Sequence, residues 1–113
     1  PAMNLVEGEL SGGVFRAEGA EVHGLSGPDG PVTLGFRAED ATVTETGGAI
    51  TAPIYTLELL GEATMVSVRI AGALVSAKTD KTFRAEIDDT VSIHVPSEHC
   101  HLVDANTGAR IGA

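Results

Sequence analysis

The chain has a single cysteine, no tryptophan, one tyrosine and three phenylalanines in 113 residues. Cys100 on its own cannot form an internal disulfide, which excludes a disulfide-stapled secreted scaffold and fits a reducing cytosol. Basic residues are also scarce: seven Lys and Arg stand against sixteen Asp and Glu, for a net charge of −9. Nucleic acid and anionic lipid headgroups are both held by clustered cations, so neither is an expected partner. No apolar stretch approaches the roughly 18 residues that span a bilayer, and no basic segment followed by an apolar run opens the chain. Direct membrane insertion is therefore not expected. The start, "PAMNLVEG", runs straight into strand-like sequence. That reads as a fragment cut from a longer protein, or equally as a chain whose initiator Met was removed. The size implies one domain, residues 1–113, burying roughly 60 to 70% of its unfolded surface.

Helical periodicity is missing too. What is present is glycine, fourteen residues of it, and apolar residues that alternate with polar ones. In "VTLGFR", Val32, Leu34 and Phe36 share one face while Thr33, Gly35 and Arg37 share the other. "MVSVRI" buries Val66, Val68 and Ile70 and turns Met65, Ser67 and Arg69 away. "TVSIHV" does the same with Val91, Ile93 and Val95, leaving His94 outside. In "ITAPIYTLELLG" the phase changes: Ile50, Ala52 and Ile54 have one parity, and Tyr55, Leu57 and Leu59 the other. A one-residue bulge near Pro53 to Tyr55 would return both sets to the interior. "EDAT" and "SEHC" each read as one helical turn, capped by Asp40 or Ser97. The expected class is all-β, a small barrel or sandwich of short strands joined by Gly-rich turns.

Candidate chemistry is thin. Leu10-Ser11-Gly12-Gly13 matches four of the five signature residues of ABC transporter ATPases. The signature requires a glutamine or similar residue next and then a helix, whereas "VFRAEG" reads as a strand, and no G-x-x-x-x-G-K-[ST] loop is present. These glycines are expected to turn a hairpin between residues 4–10 and 14–17. "HVPSEHCHLVD" gathers the potential metal ligands His94, Glu98, His99, Cys100, His101 and Asp104. On an extended chain His99 and His101 point one way and Cys100 the other, so no metal site is expected. The same geometry keeps Cys100 from sharing a proton with its His neighbours, and no catalytic residue is assigned. Glu39, Asp40, Glu86, Asp88 and Asp89 read as a solvated acidic rim.

Four stretches, in order and covering nearly the whole chain, resemble one known family. "PAMNLVEGEL" (1–10), "VTLGFRAED" (32–40), "TLELLGEATMVSVRIAG" (56–72) and "VPSEHCHLVDANTGARI" (95–111) are similar to segments of a domain in carbohydrate-type ABC importers. That domain is the C-terminal regulatory, transport-associated (TOBE-type) domain of the ATP-binding subunit, in the group that includes the maltose and glycerol-3-phosphate importers. Two departures stand out: Ala38 sits where proline is common, and Val103 replaces a common phenylalanine. His101 and Leu102 fall on the family's usual "HL", which favours a structural role for His101 and Cys100.

The resemblance implies an OB-fold-like barrel and a regulatory function with no catalysis and no cofactor in this chain. ATP and Mg would belong to a catalytic domain that precedes it in the parent ATPase. It further implies a homodimer through this domain, importer membrane subunits as partners of the parent, a regulatory protein as a further partner, and a place on the cytoplasmic face of the plasma membrane. From the alternation, the interface candidates are Gly35 and Arg37, followed by Glu39 and Asp40 in the next loop. An alternative pairs Arg37 with an acidic neighbour in its own barrel. The alternative function is a free-standing barrel binding a small oxyanion such as molybdate; the charge of −9 opposes it.

Overall fold

A computed structural model describes residues 3–111. Pro1 and Ala2, the head of the quoted "PAMNL", lie outside the described residues, as do Gly112 and Ala113. Apart from two single 3-10 turns, the regular structure of the described chain is all strand. Its strands are β1 (Met3–Ser11), β2 (Val14–Ala17), β3 (Ala20–Val22), β4 (Gly30–Arg37), β5 (Thr42–Thr44) and β6 (Ile50–Leu59). They continue with β7 (Ala63–Ile70), β8 (Ala73–Asp80), β9 (Thr90–His94), β10 (His101–Asp104) and β11 (Arg110–Ile111). One antiparallel sheet runs β11-β10-β4-β1-β2-β3-β6-β7-β8, with β9 on β6 and β5 on β9.

The alternation read from sequence sets which residues enter the core. Val32, Leu34 and Phe36, then Val66, Val68 and Ile70, then Val91, Ile93 and Val95 are all buried. They pack with Val6, Leu10, Phe15, Val22, Ile50 and Ile54 into one cluster. Ser67 departs from expectation: it lies on the face opposite Val66 and Val68, yet it is buried, sharing a 2.8 Å hydrogen bond with the Ser76 hydroxyl. Gly12 and Gly13 have φ of 58° and 79° and turn β1 into β2, as the glycine pair predicts.

The bulge in β6 falls where the phase change places it, between Ile54 and Thr56. Its cause is a change of partner. Residues up to Pro53 pair with β9, and from Ile54 onward β6 pairs with β7. The expectation that the bulge would bury the second apolar set holds in part for Leu57, half-buried against the core, and is corrected for the other two: Tyr55 is the bulged residue itself and is 51% exposed, and Leu59 is 63% exposed at the end of the hairpin. Tyr55 instead lies under the Arg69 guanidinium, 5.2 Å from ring centroid to Cζ.

Between β5 and β6 the chain crosses over β9, because both strands pair with β9 on opposite edges. Gly48 makes the crossing. A Cβ there would come within 2.5 Å of the Ile93 carbonyl carbon and oxygen, and its N–H donates to the buried Ser92 hydroxyl.

The sheet's curl brings β8 back over β1, and a side chain closes the seam. Asn4, buried in β1, donates its amide to the Ser76 carbonyl and accepts from the Ser76 N–H, both at 2.8 Å. Its carboxamide thus fills the place of a peptide unit in a ladder that the two backbones do not otherwise form.

Candidate interface face

β4 and its antiparallel neighbour β1 build the region that holds the sequence-selected residues. Their register sets Met3 opposite Arg37, Leu5 opposite Gly35 and Glu7 opposite Thr33. Because inward positions on β1 are taken by Asn4, Val6 and Leu10, Met3 and Leu5 project outward, 42% and 54% exposed. Gly35 lies buried beneath them: the position its Cβ would take is 3.3 Å from Leu5 Cδ2 and 3.7 Å from Met3 Sδ. The missing side chain thus gives Leu5 a flat bed, and any contact made here by a partner falls on Leu5 and Met3. On the other flank of β4, His101 of β10 is paired with Gly35.

Arg37 ends β4 and is exposed, with no ion pair among the described residues. The 3-10 turn that follows is Ala38–Asp40. Ala38 is buried, Glu39 is exposed, and Asp40 faces His99 with 3.9 Å between Oδ2 and Nδ1. The caps differ from expectation: Asp40 is the last residue of its turn, the N-cap position belongs to Arg37, and no side chain caps it. Likewise the second turn is Ser97–His99, with Pro96 rather than Ser97 at its N-cap. The outward face thus carries two exposed apolar side chains on β1 and the Arg37 cation at the end of β4, with the exposed Glu39 carboxylate in the turn that follows.

The other candidate residues are dispersed, and several have local partners of their own. His101 Nδ1 accepts from Arg110 at 2.7 Å, the Cys100 thiol lies 3.5 Å from the Pro96 carbonyl, and His94 is exposed. Asp104 accepts from the Thr107 and Asn106 N–H groups of the "DANTG" turn, which hold its carboxyl below the usual range. Burial, assisted by the Glu98 charge, pushes the Cys100 thiol up to about 11, so it is protonated at neutral pH. Among the described residues no three His, Cys, Asp or Glu side chains converge as metal ligands. Glu86, Asp88 and Asp89 are exposed, as the acidic-rim reading expects. Nor does the "LSGG" hairpin fit a nucleotide: the Gly12 N–H already donates to the Asp29 carboxylate at 3.0 Å, which would repel a phosphate.

Three features here leave no signal in the sequence pattern. Met3 and Leu5 read simply as apolar strand residues, and the role of Asn4 depends on a contact 72 positions away. A groove between β3 and β9 arises only from the strand crossing described above.

A family model described as TOBE domain matches residues 34–103, more than half of the chain. The xylose/arabinose import ATP-binding protein XacK of Haloferax volcanii is 34% identical across 96% of this chain and 32% of its own length. The sn-glycerol-3-phosphate import ATP-binding protein UgpC of Salmonella typhimurium is 31% identical across 98% of this chain and 33% of its own. UgpC of Jannaschia sp. is 32% identical across 98% of this chain and 32% of its own. The chain thus spans about a third of the length of the curated relatives it matches.

Proposed function

The chain belongs to the TOBE domain family, and from that membership we propose that it is the regulatory and dimerisation domain of the ATP-binding subunit of an importer for sugars or glycerol-3-phosphate. The observation that carries this reading is the near-complete coverage of the chain by a third of each of three import ATP-binding proteins. The remaining two thirds of such a subunit would bind ATP and Mg and hydrolyse the nucleotide, and this domain would carry no catalysis. The parent subunit would sit on the cytoplasmic face of the plasma membrane, against the importer's membrane subunits.

The exposed side chains of β1 and the end of β4 support a role in pairing. A two-fold interface needs a patch complementary to itself, and Met3, Leu5, Arg37 and Glu39 supply apolar area with both signs of charge. Two barrels joined there would keep the catalytic domains paired while these open and close. A regulatory protein that favoured the open pair would lower transport by population shift.

Sedimentation of the 113-residue chain tests the pairing. Wild type is expected to self-associate at tens of micromolar, Arg37→Ala to weaken this about tenfold, and Leu5→Glu to abolish it, with circular dichroism unchanged. A profile that is the same for all three chains refutes the assignment of this face.

A further inference from the structure

After β8 the chain makes a loop, residues 81–89, before it enters β9 at Thr90. The loop is fixed at both ends. Its first turn closes with the Phe83 N–H donating to the Asp80 carbonyl at 3.0 Å. Its last residues are held at the β6 bulge, where the Asp88 N–H donates to the Ile54 carbonyl at 2.9 Å and the Ile54 N–H to the Asp89 carbonyl at 2.8 Å. The end of β5, paired with β9 through Thr44, forms the facing bank. Between loop and strand lies an open cleft of about 450 Å³, within the range of about 300–1,000 Å³ that takes small ligands.

The more buried part of the lining is largely apolar: Val91 is buried, and Val43 and Phe83 are half-buried against the core. The rim carries both signs of charge, on the exposed Glu45, Arg84 and Asp89. Opposite charges around one opening can neutralise each other by pairing, yet none of these three is ion-paired among the described residues. Two are tethered to their own loop instead. Arg84 Nη1 donates to the Lys81 and Phe83 carbonyls at 2.9 and 2.8 Å, and Asp89 Oδ2 accepts from the Glu86 N–H at 2.9 Å. Arg84 Nε and Nη2, Asp89 Oδ1 and the Glu45 carboxylate make no hydrogen bond among the described residues.

These groups select the chemistry of an occupant. An anion would meet two carboxylates for one guanidinium, a cation would meet the tethered Arg84, and a wholly apolar ligand would cover three charges without pairing them. A neutral ring bearing hydroxyls meets every group: its O–H groups donate to the carboxylates and accept from the guanidinium, and its C–H face lies against the Phe83 ring. We propose that this cleft binds a neutral pyranose, with Phe83 as its platform and Glu45, Arg84 and Asp89 holding its hydroxyls. The site goes beyond the importer role proposed above and does not rest on it, since every group belongs to this chain; it is also separate from the face formed by Met3, Leu5 and Arg37.

The test is an amide-resolved NMR titration of the 113-residue chain with methyl α-D-glucopyranoside. Saturable shifts are expected at Thr44, Glu45, Phe83, Arg84 and Thr90, with a dissociation constant of about 1 mM. Sorbitol, which has the hydroxyls but no ring face, should bind about tenfold more weakly. Glu45→Gln keeps an acceptor and loses the charge, and should weaken the glycoside about threefold with an unchanged thermal midpoint, because Glu45 is exposed. Phe83→Leu keeps an apolar side chain of similar volume and removes the platform, for about a fivefold loss. Shifts that do not saturate by about 50 mM, or a dissociation constant unchanged in both variants, would overturn the proposal. So would tighter binding of cyclohexylammonium than of the glycoside, which would mark the cleft as a site for cations.

Discussion

Replacing Asn4 should destabilise the barrel more than its place near one end of the chain would lead one to expect. Asn4→Ala removes two hydrogen bonds of 2.8 Å and leaves the N–H and C=O of Ser76 without their partner in a part-buried seam. Each lost bond costs about 1 kcal/mol and, in a seam that is only part-buried, each stranded group adds about half as much, so the total is about 3 kcal/mol. For a domain of this size that corresponds to about 10–20 °C in thermal midpoint, or a fall of about 1–3 M in urea midpoint at about 1–3 kcal/mol/M. Asn4→Asp separates the two bonds. A carboxylate still accepts from the Ser76 N–H but is repelled by the Ser76 carbonyl, which raises its folded pKa above the unfolded value of about 3.9. A raised folded pKa means the protonated form is the stabilised one. The Asn4→Asp variant therefore keeps its stability below about pH 4 and loses it as pH rises through the folded pKa, while wild type shows no such step from this position. Urea melts at about pH 3.5 and about pH 7, either side of that transition, measure both effects. A loss below about 1 kcal/mol for the Ala variant, or an Asp variant with the same deficit at both pH values, would refute the idea that a side-chain amide completes the sheet.

Two further outcomes follow from local geometry. Ala38→Pro should stabilise the chain by about 0.5–1 kcal/mol, because Arg37 already has the extended φ and ψ of −86° and 148° that precede proline and Ala38 is the first residue of its turn; a lower thermal midpoint would show that the Ala38 N–H is needed. Cys100, with its thiol raised from 9.0 to about 11, should react with a disulfide reagent at about pH 8 about a hundredfold more slowly than in the urea-unfolded chain; equal rates would show that the thiol is not desolvated.

Much of this fold was legible because its strands are half-buried, so that a two-residue period reports directly on the core. The three strands read around Val32–Phe36, Val66–Ile70 and Val91–Val95 needed nothing else, and the bulge at Tyr55 showed itself as a break in that period. What periodicity could not show was which strand lies beside which. Leu59 and Tyr55 have strand parity yet are exposed, since the hairpin end and the bulge carry them beyond the core. Ser67 is buried against parity because β8 and Asn4 come together on its neighbour Ser76. In the candidate face, Arg37 and Glu39 could be selected from sequence as exposed charges at a strand end, whereas the cover that Leu5 gives Gly35 depends on the β1–β4 register.

That register links the integrity of the barrel to the proposed pairing. Along β1, Met3 and Leu5 point outward and Asn4, between them, points inward to Ser76. A slip of one residue would turn every side chain of the strand over, placing Met3 and Leu5 in the seam and the amide in solvent. The two hydrogen bonds of Asn4 oppose that slip, since no neighbouring side chain can both donate to and accept from a peptide group: Met3 and Leu5 have no such pair of atoms. The polar residue inside the barrel thereby fixes which apolar residues stand outside it. Loss of the Asn4 clasp would blur the outward face as well as loosen the fold.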